Sequence, residues 1–392
     1  MKKALIIANA VSMIHLFLES NIQLLLEEGY EVHLACNMEK NSKISPEQTQ
    51  ACIKDWERRG LYLHHFPVER SPFKKCNIDA YVVLRDLLKE HHFDLIHCHN
   101  PVVSVIVRLA ASKYRKRGTK VLYTAHGFFF YKGGSKKDWM IYYPIEWFLS
   151  RFTDVLVTIN KEDYNLAKRK FKKVPEIYYT NSVGIDYRRF AECNADRMEE
   201  RKKYGLKETD KVLLSVGELY ALKNHCVIIK AMAKIQDPDL HYVVAGTGGN
   251  RDDLIILAER LGLSERVHLI GYVQDIAALH RIADVFCHPS TREGLPIALA
   301  EAAASGLPAV VSTVRGNVDV INETNGFLCH YKDVNAFATA ISKLINSEKL
   351  RKELSAKVQE SAWAFDVSHI SGQMREVYGF SKDETRKMVS VK

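Results

Sequence analysis

Short apolar runs alternate along the chain with longer stretches in which apolar residues recur at helical spacing. In the first half, the apolar runs predict strands at residues 3–8, 30–36, 61–66, 94–98, 121–124 and 155–158. Between them, helical periodicity predicts helices such as 11–28 and 78–91. Strands that alternate with helices in this way are typical of a parallel sheet covered by helices on both faces.

A second series of predicted strands begins near residue 211. Its apolar runs lie at residues 212–216, 241–245, 267–270, 285–288 and 309–312. The stretch between the two series, 182–208, is polar, charged and poor in strand signal. The pattern therefore predicts two doubly wound α/β domains, followed by a long helix at 350–377 with a kink near Phe365 and Asp366. The charged tail after Phe380 is expected to fray.

In open α/β sheets, ligands bind beyond the carboxyl ends of the strands, so residues just after the predicted strands are the informative ones. The segment REGLPIALAEAAASG (292–306) follows the strand at 285–288. Pro296 suits the start of a helix and Gly306 its end. Gly294 allows a ligand to approach the main chain closely, and free amides at a helix start favour an anion such as a diphosphate.

Two carboxylates belong to the same segment, Glu293 just before the helix and Glu301 eight residues later on it. A carboxylate among the apolar neighbours of Glu301 is costly unless it has partners, which the two hydroxyls of a ribose would supply. The alternative is an ordinary surface helix on which Glu301 is solvated. The pattern alone does not decide between the two.

Three weaker signals follow other strands. Gly217 ends the strand at 212–216, and Lys223 comes at the next helix start, which suits a phosphate but also suits a solvated lysine. His126 ends the strand at 121–124 and is either a ligand contact or a structural histidine. His97 and His99 end the strand at 94–98, but no carboxylate at matching spacing favours a metal site.

Other chemistries are disfavoured by the sequence. The glycines at 246–249 lack the acidic partner about 20 residues later that an NAD site requires. None of the eight cysteines forms a C-x-x-C pair, and no recognition motif for nucleic acid is present. No apolar run reaches the ~18–20 residues that span a bilayer, and the first apolar segment is too short for a signal peptide. These features predict a cytoplasmic protein.

The net charge of +9 is concentrated in the first half of the chain. Residues 1–190 contain 30 basic and 20 acidic side chains, whereas the remainder contains 26 and 27. Such an asymmetry indicates that the first half meets an anionic surface or substrate.

Within the basic half, residues 127–152 interleave aromatic and cationic side chains. This composition suits a membrane interface or a lipid diphosphate acceptor. Alternatively, the aromatic residues are core and the lysines are solvated. The candidate acceptor or membrane residues are Phe128, Phe129, Tyr131, Lys132, Lys136, Lys137 and Trp139.

Taken together, these segments resemble the retaining GT-B glycosyltransferases of family 4 over residues 2–378. Glu293 and Glu301 resemble the E-x7-E motif of that family, residues 325–328 its N-G-hydrophobic turn and residues 181–186 its N-x-V-x-x-D region. The segments VGELYALKNH and TAHGFFFYKGG are most similar to bacterial exopolysaccharide and capsule transferases.

The resemblance implies two Rossmann-like domains that face each other across a cleft, an acceptor-side domain at 1–185 and a nucleotide-sugar domain at 186–363. It also implies that a helix at 364–380 returns to the first domain and that residues 381–392 form a frayed tail. The implied reaction needs no metal or other cofactor. UDP is the favoured nucleotide, with GDP as the alternative, and the implied acceptor is lipid-linked at the inner face of the cell membrane.

The resemblance also implies roles for individual residues. Glu301 binds the ribose, Glu293 the donor sugar, and the amides beside Pro296 the sugar and phosphate. Lys223 neutralises the diphosphate, and His126 lies beside the sugar. The remaining implied donor residues are Gly217, Glu218, Gly271, Tyr272, Val273, Gly294, Leu295 and Arg315.

Two positions depart from the family pattern. Glu218 occupies a position where the family usually has arginine, and a carboxylate repels a diphosphate unless it points away or a cation such as Arg315 compensates. The first loop, 9–12, lacks the usual glycines. Because of Glu218, a non-catalytic sugar-nucleotide-binding subunit remains an alternative function. A nucleotide-sugar epimerase of the same architecture is a second alternative.

Overall fold

The computed structural model describes residues 1–39, 44–181 and 184–380. The chain divides into two compact units. Unit 1 comprises Met1–Gly184 and the described residues from Ser368 onwards, and unit 2 comprises Ile185–Val367. Ser182 and Val183 of the predicted N-x-V-x-x-D region and the predicted tail 381–392 lie outside the described residues.

The described residues form thirteen strands, and they are named in chain order. They are β1 (Lys3–Ile7), β2 (Glu31–Cys36), β3 (Tyr62–His65), β4 (Leu95–His99), β5 (Lys120–Ala125), β6 (Val155–Thr158), β7 (Glu176–Tyr179), β8 (Lys211–Val216), β9 (Leu240–Ala245), β10 (Val267–Gly271), β11 (Val285–His288), β12 (Ala309–Ser312) and β13 (Gly326–Cys329).

The α-helices of the described residues are named in the same way. They are α1 (Val11–Phe17), α2 (Glu19–Glu27), α3 (Pro46–Arg58), α4 (Cys76–Glu90), α5 (Pro101–Arg115), α6 (Lys136–Leu149), α7 (Lys161–Lys170), α8 (Tyr187–Ala191), α9 (Arg197–Lys202), α10 (His225–Ile235), α11 (Arg251–Arg260), α12 (Ile276–His280), α13 (Ile297–Ala304), α14 (Asn317–Val320), α15 (Val334–Ile345), α16 (Glu348–Ala362) and α17 (Val367–Tyr378).

Each unit contains one sheet in which every strand pair is parallel. The strand order is β3-β2-β1-β4-β5-β6-β7 in unit 1 and β10-β9-β8-β11-β12-β13 in unit 2. Both orders confirm the predicted doubly wound, Rossmann-like class. The order reverses between β1 and β4 in unit 1 and between β8 and β11 in unit 2, which are the points where such sheets bind ligands.

The structure corrects three sequence predictions about elements. The edge strands β7 and β13 were not predicted, because most of their residues are only half-buried and the sequence EIYY of β7 gives no continuous apolar run. The predicted helix 11–28 is two helices, α1 and α2, which separate at Leu18. The predicted helix 350–377 is divided into α16 and α17 by a 3₁₀ turn at Trp363–Phe365, which confirms the predicted kink near Phe365 and Asp366.

Unit 1 has an apolar core on each face of its sheet, and unit 2 has a further core of its own. From α17, Ile370, Met374 and Val377 belong to a core of unit 1 that β1 and β2 share. All eight cysteines are free thiols. Among the described residues, none of the helices has both the length and the apolar character that crossing a bilayer requires.

The two ends of unit 2 are hydrogen-bonded to each other. Ile185 donates its N–H to the carbonyl of Phe365 over 2.9 Å, and Val367 donates to the carbonyl of Ile185 over 2.8 Å. Ile185 and Asp366 thereby form a parallel bridge. The backbone that begins unit 2 therefore lies directly beside the backbone that ends it.

Candidate active site

The switch point of the unit 2 sheet is lined by two loops, one after β8 and one after β11. The N–H of Thr291 donates to the carbonyl of Leu222 over 2.8 Å and joins the loops directly. Asn224 adopts a left-handed conformation (φ 56°, ψ 33°), and its side-chain amide donates to the carbonyl of Pro289 over 3.0 Å. The two loops are therefore held together by main-chain acceptors.

A half-buried charge cluster lies where these loops meet. The ammonium Nζ of Lys223 is 2.7 Å from Oε1 of Glu293, and Nε2 of His288 is 3.0 Å from the same oxygen. Ser290 Oγ lies 3.2 Å from that imidazole nitrogen. The sequence predicted Lys223 and Glu293 as separate signals, and the structure brings them into contact. The sequence did not predict His288, which is the last residue of the buried strand β11.

The cluster keeps the Glu293 carboxyl ionised. Burial acts to raise the pKa of Glu293, but the hydrogen bond from His288 and the charge of Lys223 outweigh it and hold the pKa well below its usual range. Burial lowers the pKa of His288, and its hydrogen bond to Glu293 offsets only part of that effect. The site thus presents a fixed carboxylate beside a single ammonium group.

The loop after β12 supports the segment around Glu293. Arg315 is buried and donates Nε–H to the main-chain carbonyl of Glu293 over 3.0 Å. Gly316 has φ +79°, and a Cβ there would lie 2.6 Å from the carbonyl oxygen of Gly294. Arg315 therefore fixes the backbone that carries Glu293, and its role as a compensating cation stays a prediction.

Glu301 lies on α13 without a hydrogen-bond partner among the described residues. Burial raises the pKa of its carboxyl to about 7, and the charge of Arg189 on α8 counters only part of this shift. A half-buried carboxylate without partners is costly, which is the property expected of a ligand contact. Pro296 precedes α13 and gives it no side-chain cap, whereas Gly306 ends it with φ +71°.

The loops after β8, β9 and β10 pack closely at the same edge of the sheet. Gly217 donates to the carbonyl of Ala245 over 2.9 Å, and Gly246 donates to that of Gly271 over 2.7 Å. A Cβ on Gly246 would lie 1.9 Å from the carbonyl oxygen of Gly217. The glycines at 246–249, which give only a weak dinucleotide signal in the sequence, therefore allow the neighbouring loop to approach.

The other predicted donor residues of unit 2 lie around these loops. Leu295 is buried, Tyr272 is 77% exposed at the end of β10, and Val273 beside it is half-buried. Glu218 is exposed, and of the two explanations for this carboxylate the structure favours the one in which it turns to solvent. Solvent screening then weakens its repulsion of a diphosphate.

The predicted histidine lies in unit 1. Nε2 of His126 is 3.1 Å from Nδ1 of His99, which is buried at the end of β4. Burial lowers the pKa of His126 to about 4, so its ring is neutral at pH 7. His97 uses both ring nitrogens, on the hydroxyls of Tyr378 (2.9 Å) and Thr124 (2.8 Å), which leaves neither for a metal.

The structure divides the predicted acceptor or membrane residues between core and surface. Phe128 is a core residue that stacks with Phe130, so its predicted surface role is wrong. Trp139 is half-buried and donates Nε1–H to the carbonyl of Tyr131 over 3.0 Å. Phe129 is also half-buried and stacks on an α6 tyrosine. The predicted lysines are exposed, and they are Lys132, Lys136 and Lys137.

Comparison with known proteins assigns this chain to a family. Residues 18–186 match Glycosyltransferase Family 4, and residues 196–361 match Glycosyl transferases group 1. A Putative glycosyltransferase EpsD of Bacillus subtilis is 36% identical over 93% of this chain and 92% of its own length. The chain belongs to glycosyltransferase family 4.

A further relative and two solved structures extend the comparison, the structures for the fold alone. A UDP-Gal:alpha-D-GlcNAc-diphosphoundecaprenol alpha-1,3-galactosyltransferase of Escherichia coli is 30% identical over 70% of this chain and 72% of its own. Anabaena HepE, solved with UDP and glucose, matches 97% of this chain and 100% of its own with a TM-score of 0.77 at 19% identity. WaaG, a glycosyltransferase involved in lipopolysaccharide biosynthesis, matches 95% and 99% with a TM-score of 0.71 at 18% identity. The fold is GT-B, as predicted.

Proposed function

We propose that this glycosyltransferase moves a sugar from a UDP-sugar to a lipid-linked saccharide in exopolysaccharide assembly, with retention of anomeric configuration. The observation that carries the proposal is the contact between Lys223 and Glu293 at the switch point of unit 2. The E. coli galactosyltransferase, whose name specifies a UDP-Gal donor and a diphosphoundecaprenol-linked acceptor, and the UDP complex of HepE support the donor and acceptor classes.

The proposed chemistry rests on charge at the leaving group. A departing nucleoside diphosphate gains negative charge in the transition state, and preorganised donors aimed at that charge stabilise it. Lys223 and the amides of Gly294 and Leu295 supply these donors. Glu293, already paired with Lys223, accepts hydrogen bonds from the sugar rather than attacking it. Retention then requires the acceptor to attack the sugar from the same face from which the leaving group departs.

Calorimetry with UDP, GDP and ADP in EDTA tests the donor class. We expect UDP to bind most tightly and Glu301→Ala to weaken it roughly 10- to 100-fold, because charge-assisted hydrogen bonds contribute ~1.5–3 kcal/mol. Turnover is then followed with a panel of UDP-sugars and a lipid-linked acceptor. Conversion of the donor to another UDP-sugar without acceptor would identify an epimerase, and binding without turnover would identify a non-catalytic subunit.

The raised pKa of Glu301 predicts a pH dependence of nucleotide binding. Only the ionised carboxylate accepts hydrogen bonds from both ribose hydroxyls, so UDP affinity should fall as the pH drops through about 7. In the ligand-free protein, stability from this carboxyl is fully present below the unfolded pKa and is lost as the pH rises through about 7.

Titration of UDP from pH 5.5 to 8.5 into wild type and Glu301→Gln checks this dependence. The ratio of the two affinities removes the titration of the phosphate itself and should change around pH 7. The 2′-deoxy form of UDP, which lacks one ribose hydroxyl, should show a smaller change in that ratio. A ratio that is constant with pH would separate Glu301 from the ribose.

We further propose that unit 1 docks on anionic lipid through helix α6. This helix leaves a row of apolar side chains exposed, which we call the α6 surface. Its members are Met140 (78% exposed), Ile141, Ile145, Trp147 and Phe148. The guanidinium of Arg151 lies 5.4 Å from the Trp147 ring and 4.5 Å from the Phe148 ring. Apolar side chains bordered by cations suit the interface of an anionic membrane.

Replacement of Trp147 and Phe148 by serine should reduce binding to anionic vesicles at least fivefold in a sedimentation assay. Wild-type binding should also fall as salt rises, because screening weakens attraction between lysines and lipid headgroups. Trp363→Ser is the matched control, because Trp363 is equally exposed but belongs to unit 2. Absence of wild-type sedimentation at low salt would contradict the proposed docking.

A further inference from the structure

The two oxygens of the Glu293 carboxylate have different surroundings. Oε1 lies 2.7 Å from Nζ of Lys223 and 3.0 Å from Nε2 of His288. Oε2 has no hydrogen-bond partner among the described residues, 1–39, 44–181 and 184–380. One oxygen is thus bound twice by the protein, and the other is the acceptor that a ligand can use.

The two groups on Oε1 differ in how firmly they are held. Lys223 is a flexible side chain with about a quarter of its surface exposed. His288 is buried, its ring is parallel to that of Phe286, and its main-chain carbonyl accepts from Asn317 Nδ2 over 3.2 Å. The imidazole is therefore the fixed partner of the carboxylate and the ammonium is the movable one.

We propose that His288 is a positioning residue that holds Glu293 in place when Lys223 transfers to the diphosphate of the donor. This inference rests on the proposed function, because that function supplies the diphosphate. Loss of the ammonium from Oε1 would otherwise free the carboxylate to rotate. With the imidazole still bound to Oε1, Oε2 keeps its direction toward the sugar hydroxyls. His288 then acts through Glu293 without touching the donor.

The assignment also fixes the imidazole tautomer. A neutral ring has one N–H, and a carboxylate only accepts hydrogen bonds, so the proton is on Nε2 and Nδ1 carries none. Ser290 Oγ, 3.2 Å from Nε2, is then a second acceptor for the same N–H. Ring nitrogen chemical shifts of the ligand-free protein measure this tautomer without any donor. The Nδ1–H tautomer at His288 would overturn the inference.

Three variants test the positioning role by kinetics. His288→Leu removes the donor to Oε1, whereas the side-chain amide of His288→Gln can replace it. His280→Leu is a matched control, because His280 is another buried histidine of unit 2 with one side-chain hydrogen bond, to Ser305. Melting temperatures of all three establish that they fold.

The expected result is a separation of turnover from nucleotide affinity. His288→Leu should lower kcat for the UDP-sugar at least tenfold and change UDP affinity less than threefold, because UDP lacks the donor sugar whose hydroxyls Glu293 would position. His288→Gln should recover kcat to within threefold of wild type, and His280→Leu should keep it. Full kcat in His288→Leu, or no recovery in His288→Gln, would overturn the positioning role.

The same experiments separate this inference from the proposed function. If wild type turns over none of the UDP-sugars, the proposed function is wrong and the sugar-positioning role is overturned with it. If wild type is active and His288→Leu is equally active, only the inference is wrong. A parallel loss of UDP affinity and kcat in His288→Leu would indicate a purely structural histidine and would also overturn the inference.

Discussion

Lys223→Met should lower the turnover of the sugar donor by about 10²–10³-fold, the loss typical when one preorganised donor to a developing anion is removed. Among the described residues, Glu293 forms ion pairs with Lys223 and His288 alone, and Lys223 is the one whose charge does not depend on protonation of an imidazole. Its loss also leaves Glu293 as a buried carboxylate with fewer partners, which raises the pKa of that carboxyl. Steady-state kinetics measures the loss of turnover, and UDP calorimetry measures the loss of affinity for the diphosphate.

Lys230→Met is the control for this variant. Lys230 is exposed on α10, and its substitution removes an equal charge from the same unit. It should retain turnover within twofold. Methionine keeps most of the apolar length of lysine, so the expected loss belongs to the charge. Equal turnover of Lys223→Met and wild type would show that the diphosphate does not bind at this lysine.

Gly246→Ala should destabilise unit 2 by about 4 kcal/mol or more, a loss that belongs to the extreme tail of single substitutions. The added Cβ would lie 1.9 Å from the carbonyl oxygen of Gly217, and φ is +150°. The loops after β8 and β9 would have to separate, which also moves the segment that leads to Lys223. Chemical denaturation measures the change in the free energy of unfolding.

Gly262→Ala separates the contact from the backbone conformation. Gly262 has φ +67° but nothing within 4 Å of the position that an added methyl group would take, so only the left-handed backbone is penalised, by roughly 1–2 kcal/mol. Gly246→Ala should therefore lose clearly more stability than Gly262→Ala. Equal losses would mean that the loops after β8 and β9 rearrange at little cost.

The interior strands of each sheet could be predicted from the sequence, whereas two of the four edge strands, β7 and β13, could not. Strands such as β8 and β12 are buried on both faces, so they read as continuous apolar runs. The edge strand β7 has the sequence EIYY and is only half-buried, which gives it no apolar pattern. Edge strands need less burial than interior strands, and their signal is correspondingly weak.

The site was predictable as separate residues but not as an arrangement. Lys223 and Glu293 are 70 positions apart, and their contact depends on β8 and β11 being neighbours. Local sequence patterns do not determine strand order. The sequence therefore contained no signal for the ion pair or for the contact between His288 and Glu293. The error at Phe128 has a similar origin, because a run of four aromatic residues has no periodicity to separate core from surface.

The paired backbone at Ile185 and Asp366 makes unit 2 an insertion within unit 1. The chain leaves unit 1 and returns to it through two positions that are hydrogen-bonded to each other, so the inserted segment has adjacent ends. Residues 185–367 contain Lys223, Glu293 and Glu301 together with an apolar core of their own. Gene segments encoding this insertion can therefore be exchanged between relatives at two fixed junctions, and donor preference should be inherited with the exchanged segment.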